Sequence, residues 1–126
     1  MRAYQLVAFC LSLTTISLAQ PVSGGIIVKN LAPFDCYVFV RGSWGHESKH
    51  NGPVHWGSST HFDWGDLSGS KFQVGENCWM VVDVVGGQHG HESGDNFLLA
   101  NGGYTGTYTL TGWSLQPSWN RLFGNA

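Results

Sequence analysis

Glycine divides this chain into short segments of alternating or β-branched residues. The 126 residues include 18 glycines, scattered from Gly24 to Gly124, and no window between them shows a convincing helical period. Short β-branched segments that end at glycine-rich turns are typical of all-β domains. We therefore predict an all-β fold, a small single-domain antiparallel β-sandwich or Greek-key barrel. The predicted strands lie near residues 25–31, 36–41, 53–56, 59–64, 70–74, 77–85, 96–100 and 104–112.

The segment 104–112 shows the clearest strand pattern. Threonines occupy positions 105, 107, 109 and 111, whereas Tyr108 and Leu110 fall between them. Because successive side chains of a strand point to opposite faces, the threonines share one face and the two large residues share the other. This period of two predicts a half-buried strand whose threonine face meets water.

The first nineteen residues have the features of a secretory signal peptide. Arg2 gives a positive start, a short apolar run extends from Leu6 to Leu18, and Ser17 and Ala19 supply small residues before a cleavage site at Gln20. We predict a signal peptide at 1–19 and a single secreted β domain at 20–126, extracellular and monomeric. No later segment is long and apolar enough for a membrane span.

Two cysteines, Cys36 and Cys78, remain beyond the predicted signal peptide, which contains Cys10. An even number of cysteines in an oxidising compartment favours a disulfide. Each cysteine lies on the apolar face of its predicted strand, so we predict one buried disulfide that bridges the two sheets. Closing this loop of about 42 residues would contribute roughly 4 kcal/mol to stability.

The charge of the chain argues against nucleic acid as a partner. The formal net charge of −2 at pH 7 becomes −3 once Arg2 is removed with the signal peptide, and no run of basic residues stands out. Binding to phosphate backbones depends on clustered Lys and Arg. The partner is therefore expected to be a protein or a glycan.

The tetrapeptide GHES occurs twice, at 45–48 and at 90–93. Each copy follows a valine-rich segment that starts with a cysteine and an aromatic residue, and Arg41 and Asp83 each lie five residues after the cysteine. These features suggest a duplicated β-motif. If the two strands pair antiparallel, the loops that follow them extend from opposite ends. We then expect that no single metal ion contacts both copies and that His46 takes no part in a site.

Histidine is the commonest transition-metal ligand in proteins, and this chain has six. His89 and His91 project from one side of an extended segment, so they are the candidate contacts for a weak zinc or copper site. Two alternatives remain open: a shared site that also includes His46, and plain surface histidines without a ligand. No other cofactor is expected.

Three tryptophans, Trp44, Trp56 and Trp64, are each followed by glycine. An indole beside a residue without a side chain can present its face to a sugar ring or to a partner protein. These three are the candidate ligand-binding residues. The alternative is that they pack against the core, which is the simpler interpretation for Trp64 because it follows an alternating segment.

No catalytic residues are predicted. The chain lacks a Gly-x-Ser-x-Gly motif, and no spacing recommends a pair of carboxylates for hydrolysis. The chain is similar to the fungal guanyl-specific ribonucleases in being small, secreted and β-rich. That resemblance implies a His, Glu and Arg constellation, but no matching motif surrounds Arg41 or Arg121.

As a whole, the predicted mature chain resembles the small secreted effector proteins of filamentous fungi, particularly the β-sandwich effectors with a single disulfide. The resemblance rests on the signal peptide and on the spacing of Cys36 and Cys78, and it transfers no functional residue. It implies a virulence role in which the protein binds a host or other extracellular molecule without catalysis. A lectin-like carbohydrate-binding module and a metal-binding or small ribonuclease-like protein are the alternatives.

Overall fold

The structure, a computed structural model, describes residues 22–101 and 105–122 and places them in two packed β-sheets and one helical turn. The strands are β1 (Val22–Ser23), β2 (Gly25–Asn30), β3 (Cys36–Gly42), β4 (Asn51–Val54), β5 (Ser59–Phe62), β6 (Asn77–Val84), β7 (His91–Glu92), β8 (Phe97–Leu99), β9 (Thr105–Trp113) and β10 (Gln116–Leu122), and α1 is Trp64–Gly69. The predicted signal peptide lies outside the described residues. Within them, no helix has the length and apolar character that a membrane span needs.

Two separate sheets make a sandwich. The first sheet has the order β1-β8-β6-β3-β4, with β7 beside β6, and the second has the order β10-β9-β2-β5. The predicted all-β sandwich is confirmed, and the described strands do not close into the alternative barrel. The sheets are not purely antiparallel, because β2 pairs with β9 and β1 pairs with β8 in parallel.

The core lies between the inward faces of the two sheets. Val38 and Val40 of β3 and Met80 and Val82 of β6 are fully buried, and they face residues of the second sheet such as Tyr108. The Tyr108 hydroxyl donates to the Asp95 carbonyl at 2.8 Å, so its polar end is satisfied. The alternation predicted for 104–112 is confirmed over the residues described, since Tyr108 and Leu110 are buried between more exposed threonines.

The predicted strand at 70–74 is wrong, because residues 70–76 form turns that follow α1. The helix begins with a capping box in which the Asp63 carboxylate accepts from the Asp66 N–H at 2.8 Å, and the Asp66 carboxylate accepts from the Asp63 N–H at 3.0 Å. With only six residues, α1 is too short to give a helical period in the sequence.

The predicted disulfide is also wrong. Strands β3 and β6 are antiparallel neighbours in one sheet, and their register places Cys36 opposite Val84 and Cys78 opposite Gly42. The two cysteines therefore lie six residues apart along the strands, about 20 Å at the usual rise, whereas a disulfide needs Cα atoms within about 7 Å. Both are free, fully buried thiols that face the core.

Candidate interaction surface

Four turns meet at one end of the sandwich. Strands β2 and β9 run in parallel, and β4 and β6 both end beside Cys36, which starts β3 directly after the β2–β3 connection, so all four strands run towards this end. The turns that follow these strands span residues 31–35, 55–58, 85–90 and 114–115. The short connection from β2 to β3 joins the two sheets at this end, so the four turns form one continuous surface.

This surface carries large apolar side chains in contact with solvent. Of the eight large hydrophobic residues found exposed in the described chain, five lie here, each 53–68% exposed. We call these five residues the apolar loop end: Leu31, Trp56, Val85, Trp113 and Leu115. Exposed apolar residues that cluster in this way mark interaction sites more often than scattered ones do.

Hydrogen bonds between the turns fix their relative positions. The Asn30 N–H donates to the Ser58 carbonyl at 2.9 Å, and the Gly57 N–H donates to the Asn30 carbonyl at 2.7 Å. The turn at 85–90 is joined in the same way to Asp35 and to Ser114, each at 2.9 Å. The apolar loop end is therefore presented by a backbone that is already ordered.

Few charges accompany these side chains. Asp35 is the one acidic residue in the four turns, which contain no Lys or Arg, and its carboxylate lies 3.0 Å from His55 Nδ1. His89, one of the two predicted metal contacts, is exposed in the turn at 85–90. The surface is thus nearly neutral at pH 7.

The three candidate tryptophans do not form one platform. Trp56 belongs to the apolar loop end, whereas Trp44 is exposed in the β3–β4 connection at the opposite end of the sandwich, where its ring lies near Gly75. Trp64 is half-buried against the core. Trp113 was not among the predicted residues, because the prediction required a glycine after the tryptophan, whereas Gly112 precedes Trp113.

Trp64 lines a groove at the other end of the molecule, beside the start of β2. The groove has a volume of about 380 Å³, and Gly25 and Ile27 contribute to its lining. His61 and Asp63 add polar groups to it. A mostly apolar cleft of this volume with a few polar groups has the composition of a small-ligand site.

The two GHES segments hold the sheet edges in the same way. Ser48 exchanges two hydrogen bonds with Val40, in which its Oγ accepts from the Val40 N–H at 2.8 Å and its N–H donates to the Val40 carbonyl at 2.9 Å. Ser93 makes the same two bonds with Met80, at 3.1 and 2.8 Å. Val40 and Met80 are cross-strand partners, so an approximate two-fold axis near this pair relates the two copies.

The loops that follow β3 and β6 leave from opposite ends of the sheet, as the antiparallel pairing predicts. Both GHES segments then fold back alongside the central strands, which brings their glutamates together. Glu47 lies beside Arg41, and Glu92 pairs with Val81. Both carboxylates reach the Arg41 guanidinium, Glu47 at 3.1 Å and Glu92 at 2.8 Å. Under this two-fold relation, Arg41 occupies the position of Val81 in the second copy. The cysteine spacing had instead matched Arg41 with Asp83, which lies two residues further along β6.

The histidines of the two GHES copies have different surroundings. His46 Nδ1 lies 2.7 Å from the carboxylate of the fully buried Glu76, so His46 is a hydrogen-bond partner of a buried side chain. The His91 carbonyl accepts from Trp119 Nε1 at 3.1 Å. The repeated tetrapeptide is thus explained by the serine and glutamate contacts, and its two histidines do not need to share a ligand.

One group of potential metal ligands occurs among the described residues, and it contains neither His89 nor His91. His61, Asp63 and Asp66 offer ligand atoms that lie within 4.8 Å of one another. The two carboxylates already cap α1, and the hydrogen bond from the Asp66 N–H lowers the pKa of Asp63. Metal binding by His89 and His91 stays a prediction.

Comparisons with known proteins identify no family. No family model and no curated protein sequence matches the chain. A solved structure described as "Trapped Toxin" is 12% identical with a TM-score of 0.46 over 79% of this chain and 23% of that one. Two structures of pneumolysin, the wild type and one at 1.98 Å resolution, are each 11% identical with a TM-score of 0.47 over 82% of this chain. The chain spans about a quarter of the length of these proteins, and similarity at this level supports no conclusion about function.

Proposed function

We propose that the protein is a secreted extracellular binding protein that acts without catalysis and recognises a host or other extracellular molecule through the apolar loop end. The observation that carries this proposal is the presence of five exposed large apolar residues on four turns held together by hydrogen bonds. Fully burying a large apolar side chain gains roughly 1.5–3 kcal/mol, and these five side chains, which are 53–68% exposed, leave a part of that free energy unused in water. A binding partner that covers them recovers this free energy.

Order in the turns also favours binding. A surface whose backbone is fixed before contact loses less conformational entropy when the partner arrives. The two indoles supply large contact area with few rotatable bonds, which is why tryptophan dominates the binding energy of many interfaces. The sequence features of a signal peptide and of an effector-like chain are consistent with a partner outside the secreting cell.

Removing both indoles of this surface should weaken binding through it. We expect the variant Trp56→Ser/Trp113→Ser to lose at least about tenfold in affinity for a partner bound at the apolar loop end, because these are the largest exposed side chains at this end. Binding is measured against immobilised glycans, extracellular proteins and phospholipid vesicles. Trp44→Ser is the matched control, since Trp44 is equally exposed at the opposite end.

An equal loss in the control and in the double variant would contradict the proposal, as would unchanged binding in the double variant. Both variants are expected to melt within a few degrees of the wild type, because exposed side chains contribute little to the core. A thermal melt therefore separates loss of binding from loss of folding.

The groove beside Trp64 favours a second candidate function, that of a carbohydrate-binding module. The half-buried indole lines one side, and His61 and Thr105 stand at the rim with hydrogen-bonding groups. An aromatic ring with polar groups beside it is the arrangement that holds a sugar by stacking and hydrogen bonds.

For this second function, His61→Ala is the test variant, because His61 is exposed and its loss leaves the core intact. Wild-type binding on a glycan array should fall about tenfold or more in His61→Ala, while Trp56→Ser/Trp113→Ser binds as the wild type does. No signal on the array, or a signal that survives His61→Ala, would remove the groove as the carbohydrate site.

A further inference from the structure

We propose that the apolar loop end docks on the interface of a neutral phospholipid bilayer. This inference rests on the proposed function and specifies its partner. The Trp56 and Trp113 indoles would lie at the level of the headgroups, and the side chains of Leu31, Val85 and Leu115 would contact the first acyl carbons. Three properties of the turns carry the inference: their hydrogen bonding, their charge and their shape.

Part of the turn backbone is hydrogen-bonded to neighbouring turns and strands. The N–H groups of Asn30, Gly57 and Val85 all donate to carbonyls of neighbouring turns or strands. The side-chain amide of Asn30 also donates two hydrogen bonds, to the Phe34 carbonyl at 2.7 Å and to the Val54 carbonyl at 3.0 Å. Moving an unpaired backbone group out of water costs several kcal/mol, and these paired groups avoid that cost. The end can therefore enter a region of low polarity.

The absence of Lys and Arg from the four turns selects a neutral surface over a charged one. A protein that binds anionic lipid by charge displays clustered basic residues, whereas these turns contain one carboxylate, Asp35, beside His55. This carboxylate has to remain among the headgroups, because a charge in the hydrocarbon region is costly. Docking is therefore shallow and nearly independent of salt.

The shape of the end favours a deformable partner. Four of the five side chains lie in four different turns, and Trp113 ends β9. A protein partner would have to match this particular arrangement of side chains, whereas lipids rearrange around any pattern. Tryptophan is also the side chain most enriched at membrane interfaces, where its ring is apolar and its N–H remains hydrated.

The indoles themselves differ within the described chain. Trp79 Nε1 donates to the Glu92 carboxylate at 3.1 Å, and Trp119 Nε1 donates to the His91 carbonyl at 3.1 Å. Trp56 and Trp113, by contrast, are more than half exposed. Indoles exposed to this extent can donate to headgroup carbonyl or phosphate oxygens.

The test uses the chain from residue 20 onward and vesicles of phosphatidylcholine. Co-sedimentation is measured at 0.15 M and at 1 M salt, and tryptophan quenching is measured with brominated acyl chains. We expect binding to the neutral vesicles that changes less than about twofold with salt. The partition coefficient should fall about tenfold or more in Trp56→Ser/Trp113→Ser and stay within about twofold in Trp44→Ser.

Several outcomes would overturn the bilayer as partner. The first is that the protein does not bind phosphatidylcholine vesicles, and the second is that 1 M salt abolishes binding. The third is that Trp44→Ser and the double variant lose equally in partition coefficient. Sedimentation equilibrium adds another: a dimer that Trp56→Ser/Trp113→Ser dissociates would assign this surface to a second copy of the chain. If the protein does not bind vesicles but binds a protein or a glycan through the same two tryptophans, the bilayer inference is wrong and the proposed function stands.

Discussion

Raising the pH from 9 to 12 is expected to destabilise the fold by several kcal/mol through Cys36 and Cys78. Burial raises the pKa of each thiol from an ordinary value of 9.0 to about 12, and the neighbouring carboxylates of Asp35 and Glu76 add to the shift. In the unfolded chain the thiols ionise near pH 9, whereas in the folded chain they stay protonated. Their contribution is complete below pH 9 and is lost as the pH rises to 12.

The expected loss is about 4 kcal/mol for each thiol at pH 12, since one pKa unit corresponds to 1.36 kcal/mol. Urea unfolding at several pH values measures it, and Cys36→Ala/Cys78→Ala is the control, because it retains every other titrating group. The gap in unfolding free energy between wild type and control should narrow or reverse between pH 9 and 12. Parallel curves for the two proteins would show that the thiols do not titrate with unfolding.

Replacing Glu76 with alanine is expected to cost about 3 kcal/mol of stability. The Glu76 carboxylate is fully buried, accepts from the Trp44 N–H at 3.2 Å and lies 2.7 Å from His46 Nδ1. Its removal leaves a cavity beside Gly42 and takes a hydrogen-bond partner from the Trp44 N–H and from His46.

Glu47→Ala is the matched control, because Glu47 also lies beside a histidine but is exposed. Its carboxylate is 3.4 Å from His50 Nε2 and 3.1 Å from Arg41, and exposed pairs of this kind contribute less than about 1 kcal/mol. Urea denaturation of both variants at pH 7 gives the comparison. A loss in Glu76→Ala no larger than in Glu47→Ala would mean that burial of this carboxylate contributes little.

Strands with a strong period of two were predictable from the sequence, because burial of one face dictates the alternation. The segments 25–31, 36–41 and 77–85 were found within one or two residues of their observed bounds. The strand β10 was missed, since it is an edge strand that contains Pro117 and shows no such alternation. Its pairing with β9 provides the stability that its own sequence does not indicate.

The pairing of the cysteines was not predictable in the same way. Their even number and the expected oxidising compartment concern chemistry, whereas a disulfide also requires a register that brings two Cβ atoms together. Shifting β6 against β3 by two residues moves Cys78 along the sheet and keeps it on the same face. The sequence therefore predicts the buried face of each cysteine correctly and leaves their separation undetermined.

The candidate surface was also predicted only in part. Trp56 was identified from its glycine neighbour, but Leu31 and Val85 were assigned to the ends of predicted strands and Leu115 gave no local signal. Their proximity follows from the directions of four strands in two sheets. Such a cluster depends on topology, and sequence reasoning without the strand order does not reveal it.

The parallel pairing of β2 with β9 has a consequence for how the protein folds. Gly25 pairs with Thr105, 80 residues later, and β2 lies between β9 and β5 in its sheet. Contacts between such distant residues slow folding, because a long loop has to close before they form. As the chain emerges from the ribosome or a translocation channel, β2 has one edge unpaired until nearly the whole chain is available. We therefore expect completion of the second sheet to be a late step, and until then this unpaired edge can pair with other chains and favour aggregation.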